Sequence, residues 1–284
     1  MKVLIAFDGS DYGQAALRDA FRAGFPTAAE VLVVTVGDDI EDAADVADRG
    51  ATLLRLKSPD WQVRSQALLG SPARALIELA DIWQPDLLIS GSHGRNAFGR
   101  FVLGSVSQKL LTEARCSVRI VRPPARPPRD PLRLVVATDG STAAETAVRE
   151  VASRSWPASS EATVVVAIES LHDRFENGVD HEIAGMQVAD WALRRRNHAI
   201  ALAQSAATIL RKSVAKVETA VEPGPAKKAI LAVAGRVRAD CVFLGAVGAG
   251  ESGDGLLGGV TAGVAHRAEC TVEVVRRKAA PCSS

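Results

Sequence analysis

The residues of this chain that could do chemistry are concentrated in one glycine-rich stretch, GSHGRNAFGRFVLGSVS, at 91–107. Gly91 and Gly94 are separated by two residues, Gly94 and Gly104 by nine, and Ser105 follows directly. Glycine lets backbone amides approach phosphate oxygens without a clashing Cβ, and a helix that begins at Ser105 would present free amides to an anion. The stretch therefore predicts a phosphate-binding loop.

A carboxylate lies at the end of the first apolar run, where VLIAFDGS at 3–10 contains Asp8. In an open α/β sheet, ligands bind beyond the carboxyl ends of the strands, near the point where the strand order reverses. Asp8 and Gly91 end the first and fourth predicted strands, so we expect them at the same edge. Two other interpretations stay open: Asp8 could cap the following helix, and Gly91 and Gly94 could be turn glycines.

The motifs occur twice, which predicts two similar halves. VLIAFDGS recurs as LVVATDGS at 134–141, GSHG as GAVG at 245–248, GSVS as GGVT at 258–261, and ARCSVRIVR at 114–122 as AECTVEVVR at 268–276. The offset grows from 131 residues to 154, so the second copy carries 23 extra residues, around 170–195. The proline-rich segment PPARPPRDP predicts a stiff connector. We therefore predict domains at 1–122 and 132–278, with a linker at 123–131.

Each half alternates short apolar, β-branched runs with helical stretches such as 71–83 and 105–114. Buried parallel strands are predicted at 2–7, 31–36, 63–68, 86–90 and 117–121, and again at 133–138, 162–168, 216–221, 240–244 and 271–275. This pattern predicts an α/β fold of two tandem, doubly wound domains with five-stranded parallel sheets. Both last strands are apolar and would be open sheet edges, so we expect the halves to pair there as an intramolecular pseudo-dimer. A lysine at Val121 or Val275 is expected to loosen that pair.

The glycine spacing, Ser105 and the aspartate after strand one together resemble the ATP-binding class of the universal stress protein family, in a tandem two-domain form. The resemblance covers nearly all of both halves and implies a Rossmann-like, adenine nucleotide alpha hydrolase-like fold. It implies that Asp8 holds the ribose hydroxyls, that the backbone at Val36 meets the adenine edge, and that Ala6 and Phe7 flank the base. The ribose and phosphates would meet Gly91, Ser92, His93, Gly94, Arg95, Gly104, Ser105, Val106 and Ser107. The matching positions of the second copy are Ala137, Thr138, Asp139, Ile168, Gly245, Gly248, Gly258, Gly259, Val260 and Thr261.

The function that this resemblance implies is an ATP-binding regulator of the stress response, and Mg²⁺ could accompany the phosphates. The first site is expected to bind ATP more tightly, because its loop carries Arg95 and Arg100 where the second loop carries Glu251 and Asp254. The alternative is a slow ATPase or an adenylate-transferring enzyme of the same superfamily. No catalytic residue is assigned, since the sequence shows no Walker-type metal-binding aspartate and no obvious base for water. The missing H-x-G-H signature argues against the transferase.

Composition limits the other partners. The 284 residues have a formal net charge of +1, which disfavours nucleic acid and anionic membranes, and no apolar run approaches the length of a membrane span. Four dispersed cysteines suit a reducing compartment, so a cytoplasmic location is expected, with Cys116, Cys241 and Cys270 buried. Histidines at 172 and 181 are interpreted as part of a solvated acidic loop and not as a metal site. Besides the adenine nucleotide and the internal pairing, a homodimer could form.

Overall fold

The fold is a ten-stranded sheet to which each half of the chain contributes five strands, in the order β3-β2-β1-β4-β5-β10-β9-β6-β7-β8. It is seen in a computed structural model that describes residues 1–94, 103–123, 131–168, 188–248 and 257–277. The strands are β1 Lys2–Ala6, β2 Glu30–Gly37, β3 Gln62–Leu69, β4 Leu87–Gly91, β5 Ser117–Val121, β6 Arg133–Ala137, β7 Glu161–Ile168, β8 Lys216–Pro223, β9 Cys241–Gly245 and β10 Thr271–Val275. All neighbouring strands run parallel except β5 and β10, which pair antiparallel.

Helices follow the strands in each half. In the described residues they are α1 Asp11–Ala20, α2 Ile40–Lys57, α3 Pro72–Trp83, α4 Ser105–Glu113, α5 Thr142–Ala152, α6 Val188–Leu210, α7 Ala226–Val237 and α8 Gly259–Arg267. The tandem α/β fold predicted from the sequence is confirmed, and the predicted strands differ from the observed ones by at most two residues at either end. Part of the predicted insert, 169–187, lies outside the described residues, as does most of the linker, 124–130. No described helix is long and apolar enough to cross a membrane.

The two faces of the sheet are covered differently. On one face, α3, α4, α7 and α8 cover a single core that runs through both halves, from Leu4 and Val118 to Val242 and Val272. On the other face, α1 and α2 cover a core of the first half, whereas α5 and α6 cover a separate core of the second. The helices of the first face therefore bind the halves into one hydrophobic unit.

The β5–β10 seam joins the halves through both apolar and charged side chains. Val118 pairs with Val274, Ile120 with Val272, and Arg119 lies directly opposite Glu273. Val121 and Val275 lie beyond this register, each in the core of its own half. A lysine at either position would thus disturb the core of one half. That it also loosens the pair of halves stays a prediction.

Buried ions surround the central pair of the seam. Glu273 is 0% exposed, and Arg119 and Arg154 are 2% and 5% exposed. Arg119 donates from Nη1 to Glu273 Oε2 at 2.8 Å and from Nε to Asp19 Oδ2 at 2.5 Å. Arg154 binds both carboxylate oxygens of Glu273, with Nη1–Oε2 at 3.0 Å, and also bonds to Glu150. Such a network is stable only when every buried charge has its partners.

The cysteines are only partly where the sequence predicted. Cys241 is buried beside Arg119, whereas Cys116 and Cys270 are half-buried in the turns before β5 and β10. These turns lie at the amino ends of the two strands, outside the fully buried strand residues.

Candidate functional site

The candidate site of the first half begins at the turn after β1. Asp8 Oδ1 accepts hydrogen bonds from the backbone amide of Ser10, at 3.0 Å, and from its hydroxyl, at 2.6 Å. Ser10 is the N-cap of α1, and its hydroxyl oxygen accepts from the Gly13 amide at 3.1 Å. Asp8 therefore supports the cap residue without being the cap, and its carboxylate is fixed at the carboxyl edge of the sheet.

The glycine loop after β4 reaches the same carboxylate, as the sequence predicted. A Cβ added to Gly94 would lie 3.3 Å from Asp8 Oδ2. The second half repeats this approach, with a Cβ on Gly248 reaching 3.0 Å from Asp139 Oδ2. Glycine keeps the space beside each aspartate clear, which is what a ligand held by both the loop and the carboxylate requires.

Gly91 has a different role from Gly94. It is the last residue of β4, and an added Cβ would lie 2.8 Å from backbone atoms of Tyr12 in α1. A Cβ added to Gly245 would lie even closer to the backbone of Ala143 in α5, at 2.5 Å. Gly91 is therefore needed for α1 to pack on the sheet, and Gly245 for α5. This packing role differs from both earlier interpretations of Gly91, a phosphate-loop glycine and a turn glycine.

Two predicted phosphate ligands use their hydroxyls inside the protein. Ser107 is buried and donates from Oγ to the Gly91 carbonyl at 2.7 Å, and Thr261 donates to the Gly245 carbonyl at 2.8 Å. These bonds tie the first turn of α4 or α8 to the end of the preceding strand. Ser105, by contrast, is exposed at the amino end of α4.

Backbone bonds hold that helix end against the loop. The Gly104 amide donates to the Ser92 carbonyl at 2.8 Å, and the Ser92 amide donates to Val121 at the end of β5 at 2.8 Å. His93 lies beside Ser92, with Nδ1 3.1 Å from its hydroxyl oxygen, and its ring is 4.9 Å from that of Tyr12. Arg95 and the rest of this loop, 96–102, lie outside the described residues, and so does the corresponding loop of the second half, 249–256.

An apolar surface lies beside these polar groups. Ala6, Val36, Leu68 and Val106 are half-buried, stand at the ends of β1, β2 and β3 and in the first turn of α4, and pack on the same core. Leu68 was not predicted, although its place at the end of an apolar strand beside Val36 was a usable signal. A flat, apolar ring could lie on this surface.

Phe7 does not belong to that surface. Its side chain is 4% exposed in the core under α1 and α2, where a Cβ on Gly50 would be only 2.7 Å from its ring. Its amide donates to Val34 and its carbonyl accepts from the Thr35 hydroxyl at 2.7 Å. Side chains alternate along a strand, so Ala6 faces the site and Phe7 faces away.

The second half lacks much of this surface. Lys2 pairs with Glu30 and Arg133 with Glu161, which fixes the offset at 131 residues and makes Ala167 the counterpart of Val36. The predicted counterpart, Ile168, is one residue out of register and packs on the core of the opposite face. The four apolar positions become Ala137, Ala167, Glu222 and Val260, and Glu222 forms an ion pair with Arg236 at 2.5 Å.

These features define two related α/β domains whose candidate sites lie at equivalent sheet edges. Residues 1–122 and 132–276 each match the universal stress protein family, and the chain belongs to that family. It is 32% identical over 133 residues to a universal stress protein of Thermus aquaticus, covering 42% of this chain and 97% of that protein.

Two crystal structures share the whole tandem fold. A universal stress protein from Archaeoglobus fulgidus has a TM-score of 0.55 at 20% identity, over 98% of this chain and 96% of the other. A protein described as functionally unknown, from Pseudomonas aeruginosa, has a TM-score of 0.70 at 18% identity, over 98% and 92%. At such identities these structures establish the fold of the chain and nothing about its ligand.

Proposed function

We propose that this universal stress protein is an ATP-binding regulator with two unequal nucleotide sites. The observation that carries the proposal is the meeting of three features at one sheet edge: the Asp8 carboxylate, the Gly94 backbone, and the exposed amino end of α4. A carboxylate accepts hydrogen bonds from ribose hydroxyls, and a helix amino end attracts phosphate. The half-buried apolar surface beside them suits an adenine ring.

The residues fit the nucleotide by their chemistry. Asp8 would accept from the ribose hydroxyls, with Gly94 giving the sugar room. The base would cover Val36 and Leu68, removing apolar area from water. The phosphates would lie at Ser105, where the first amides of α4 have no acceptor within the helix.

The described residues also support a tighter first site. Leu68 is replaced in the second half by Glu222, which is polar and bound to Arg236. Ser105 is replaced by Gly259, which has no hydroxyl to donate to a phosphate. Each exchange removes an interaction that favours an adenine nucleotide, so the two effects act in the same direction.

The first test is to identify the nucleotide retained by protein purified without added ligand, by mass spectrometry. Calorimetry with ATP, ADP and AMP should then give one tight and one weak binding event. Asp8→Ala should abolish the tight event and Asp139→Ala the weak one. If the intact chain binds no adenine nucleotide, the proposal fails; if Asp139→Ala removes the tight event, the order of the sites is reversed.

An enzymatic role is distinguished by turnover. A binding regulator should hydrolyse ATP slowly with Mg²⁺ present, whereas a rate near the usual enzyme value of about 10 s⁻¹ would replace the regulatory proposal with a catalytic one.

A further inference from the structure

Two buried arginines reach from one half of the chain into the other. Arg122 directly follows β5 and is 7% exposed, and Arg276 directly follows β10 and is 9% exposed. Arg122 donates from Nη2 to the carbonyl of Ala265 at 2.6 Å, and Arg276 donates from Nη2 to the carbonyl of Leu111. The contacts are reciprocal, because each arginine and each acceptor occupies the same position of its own half.

Both acceptors lie in the last turn of a helix, Leu111 in α4 and Ala265 in α8. Carbonyls of a last helical turn have no amide partner within the helix and form the negative end of its dipole. Second contacts extend each cap: Arg122 Nη1 lies 3.5 Å from the Cys270 carbonyl, and Arg276 Nη1 lies 3.5 Å from that of Cys116. Each helix is therefore capped by a cation from the opposite half.

Burial lowers the pKa of Arg276 to about 10, so the guanidinium stays charged near neutral pH. Both guanidiniums donate to backbone carbonyls in or just beyond the last turns of these helices.

The other ends of the same helices are the candidate phosphate sites. The amino end of α4 is tied to the loop through Gly104 and Ser107, and that of α8 through Gly258 and Thr261. Each helix has nine residues, or about 13 Å, and behaves as a short rod. Because the helix moves as one body, a displacement of its carboxyl end also displaces its amino end.

We propose that Arg122 and Arg276 are positioning residues that act across the halves. Arg276 holds α4 so that its amino end is correctly placed in the first site, and Arg122 does the same for α8 in the second. That these helix ends bind the phosphates of ATP rests on the proposed function. The dependence of each helix end on an arginine of the opposite half concerns the protein alone and is measurable without nucleotide.

The ligand-free test is hydrogen exchange on the full chain. Arg276→Gln should speed exchange about tenfold or more in the peptide spanning 104–110 and leave 258–264 unchanged, and Arg122→Gln should do the reverse. Arg276→Lys keeps the charge and one donor, so it should give an intermediate effect. Arg115→Gln removes an exposed arginine beside the same end of α4 and should change neither peptide.

The second test is calorimetry with ATP in chains that retain one site. In the Asp139→Ala chain, Arg276→Gln should weaken binding about fivefold or more, and Arg122→Gln should not; in the Asp8→Ala chain the order should reverse. Equal effects of both arginine variants on both halves, in exchange or in binding, would overturn the proposal. If the parent chain binds no nucleotide, the proposed function fails, and the exchange pattern alone decides the inference.

Discussion

The buried carboxylate of Glu273 supports the sharpest stability prediction. Glu273 is fully buried between Arg119 and Arg154, so Glu273→Gln leaves these guanidiniums with Asp19 and Glu150 as their carboxylate partners in the described part of the chain. Removing one member of a buried ion network typically costs about 3–5 kcal/mol. We expect a loss of that size in the free energy of unfolding, measured by urea titration.

The pH dependence gives an independent check. Burial alone would raise the pKa of Glu273, but the guanidiniums of Arg154 and Arg119 outweigh burial and hold this pKa below its ordinary value. A lowered folded pKa stabilises the protein above the unfolded value of about 4.3, and the contribution is lost as the pH falls through the folded value. The difference in free energy of unfolding between wild type and Glu273→Gln should therefore have its full size near neutral pH and shrink in acid.

The matched control is Glu78→Gln, which breaks an exposed pair with Arg74 on α3. Exposed pairs contribute little, so this variant should unfold almost as wild type does. If Glu273→Gln costs no more than Glu78→Gln, or if its cost does not change between pH 7 and acid, the buried network does not stabilise the seam as argued.

Three further predictions concern single positions. Leu68→Glu, which copies Glu222 of the second half, should weaken the tight ATP event about tenfold in calorimetry, because it removes apolar surface under the base. Gly91→Ala should lower the melting temperature by forcing α1 off the sheet, whereas Gly235→Ala, where an added Cβ meets nothing within 4 Å, should raise it slightly. Burial raises the pKa of Cys116 to about 11, so peptide mapping at pH 8 should show slow alkylation in the folded chain and fast alkylation in urea.

The positions of the strands and their recurrence in the second half could be predicted from the sequence, because both depend on local pattern and repetition. Runs such as 117–121 are apolar and β-branched, and their recurrence at 271–275 marks the same element twice. That Asp8 meets the glycine loop after β4 was also predictable, since parallel strands bring their carboxyl ends to one edge.

What could not be predicted depends on which face a residue occupies and on contacts far along the chain. Phe7 was placed beside the base, but its neighbour Ala6 faces the site and alternation turns Phe7 into the core. Ile168 was matched to Val36, and an error of one residue moves a strand residue to the other face. Arg122 ends a visible repeat, but its acceptor at Ala265 belongs to the opposite half.

The position of the Arg119–Glu273 pair has a consequence for how the two halves recognise each other. In SVRIV and TVEVV the two residues occupy the same place, and the antiparallel register sets that place opposite itself. A strand pairing with an identical copy would therefore set arginine against arginine, or glutamate against glutamate, in a site closed to water. Only unlike copies can place opposite charges there. Neither half could form a symmetric dimer through this edge without burying two like charges, so the charges at this position favour pairing between the two unlike halves.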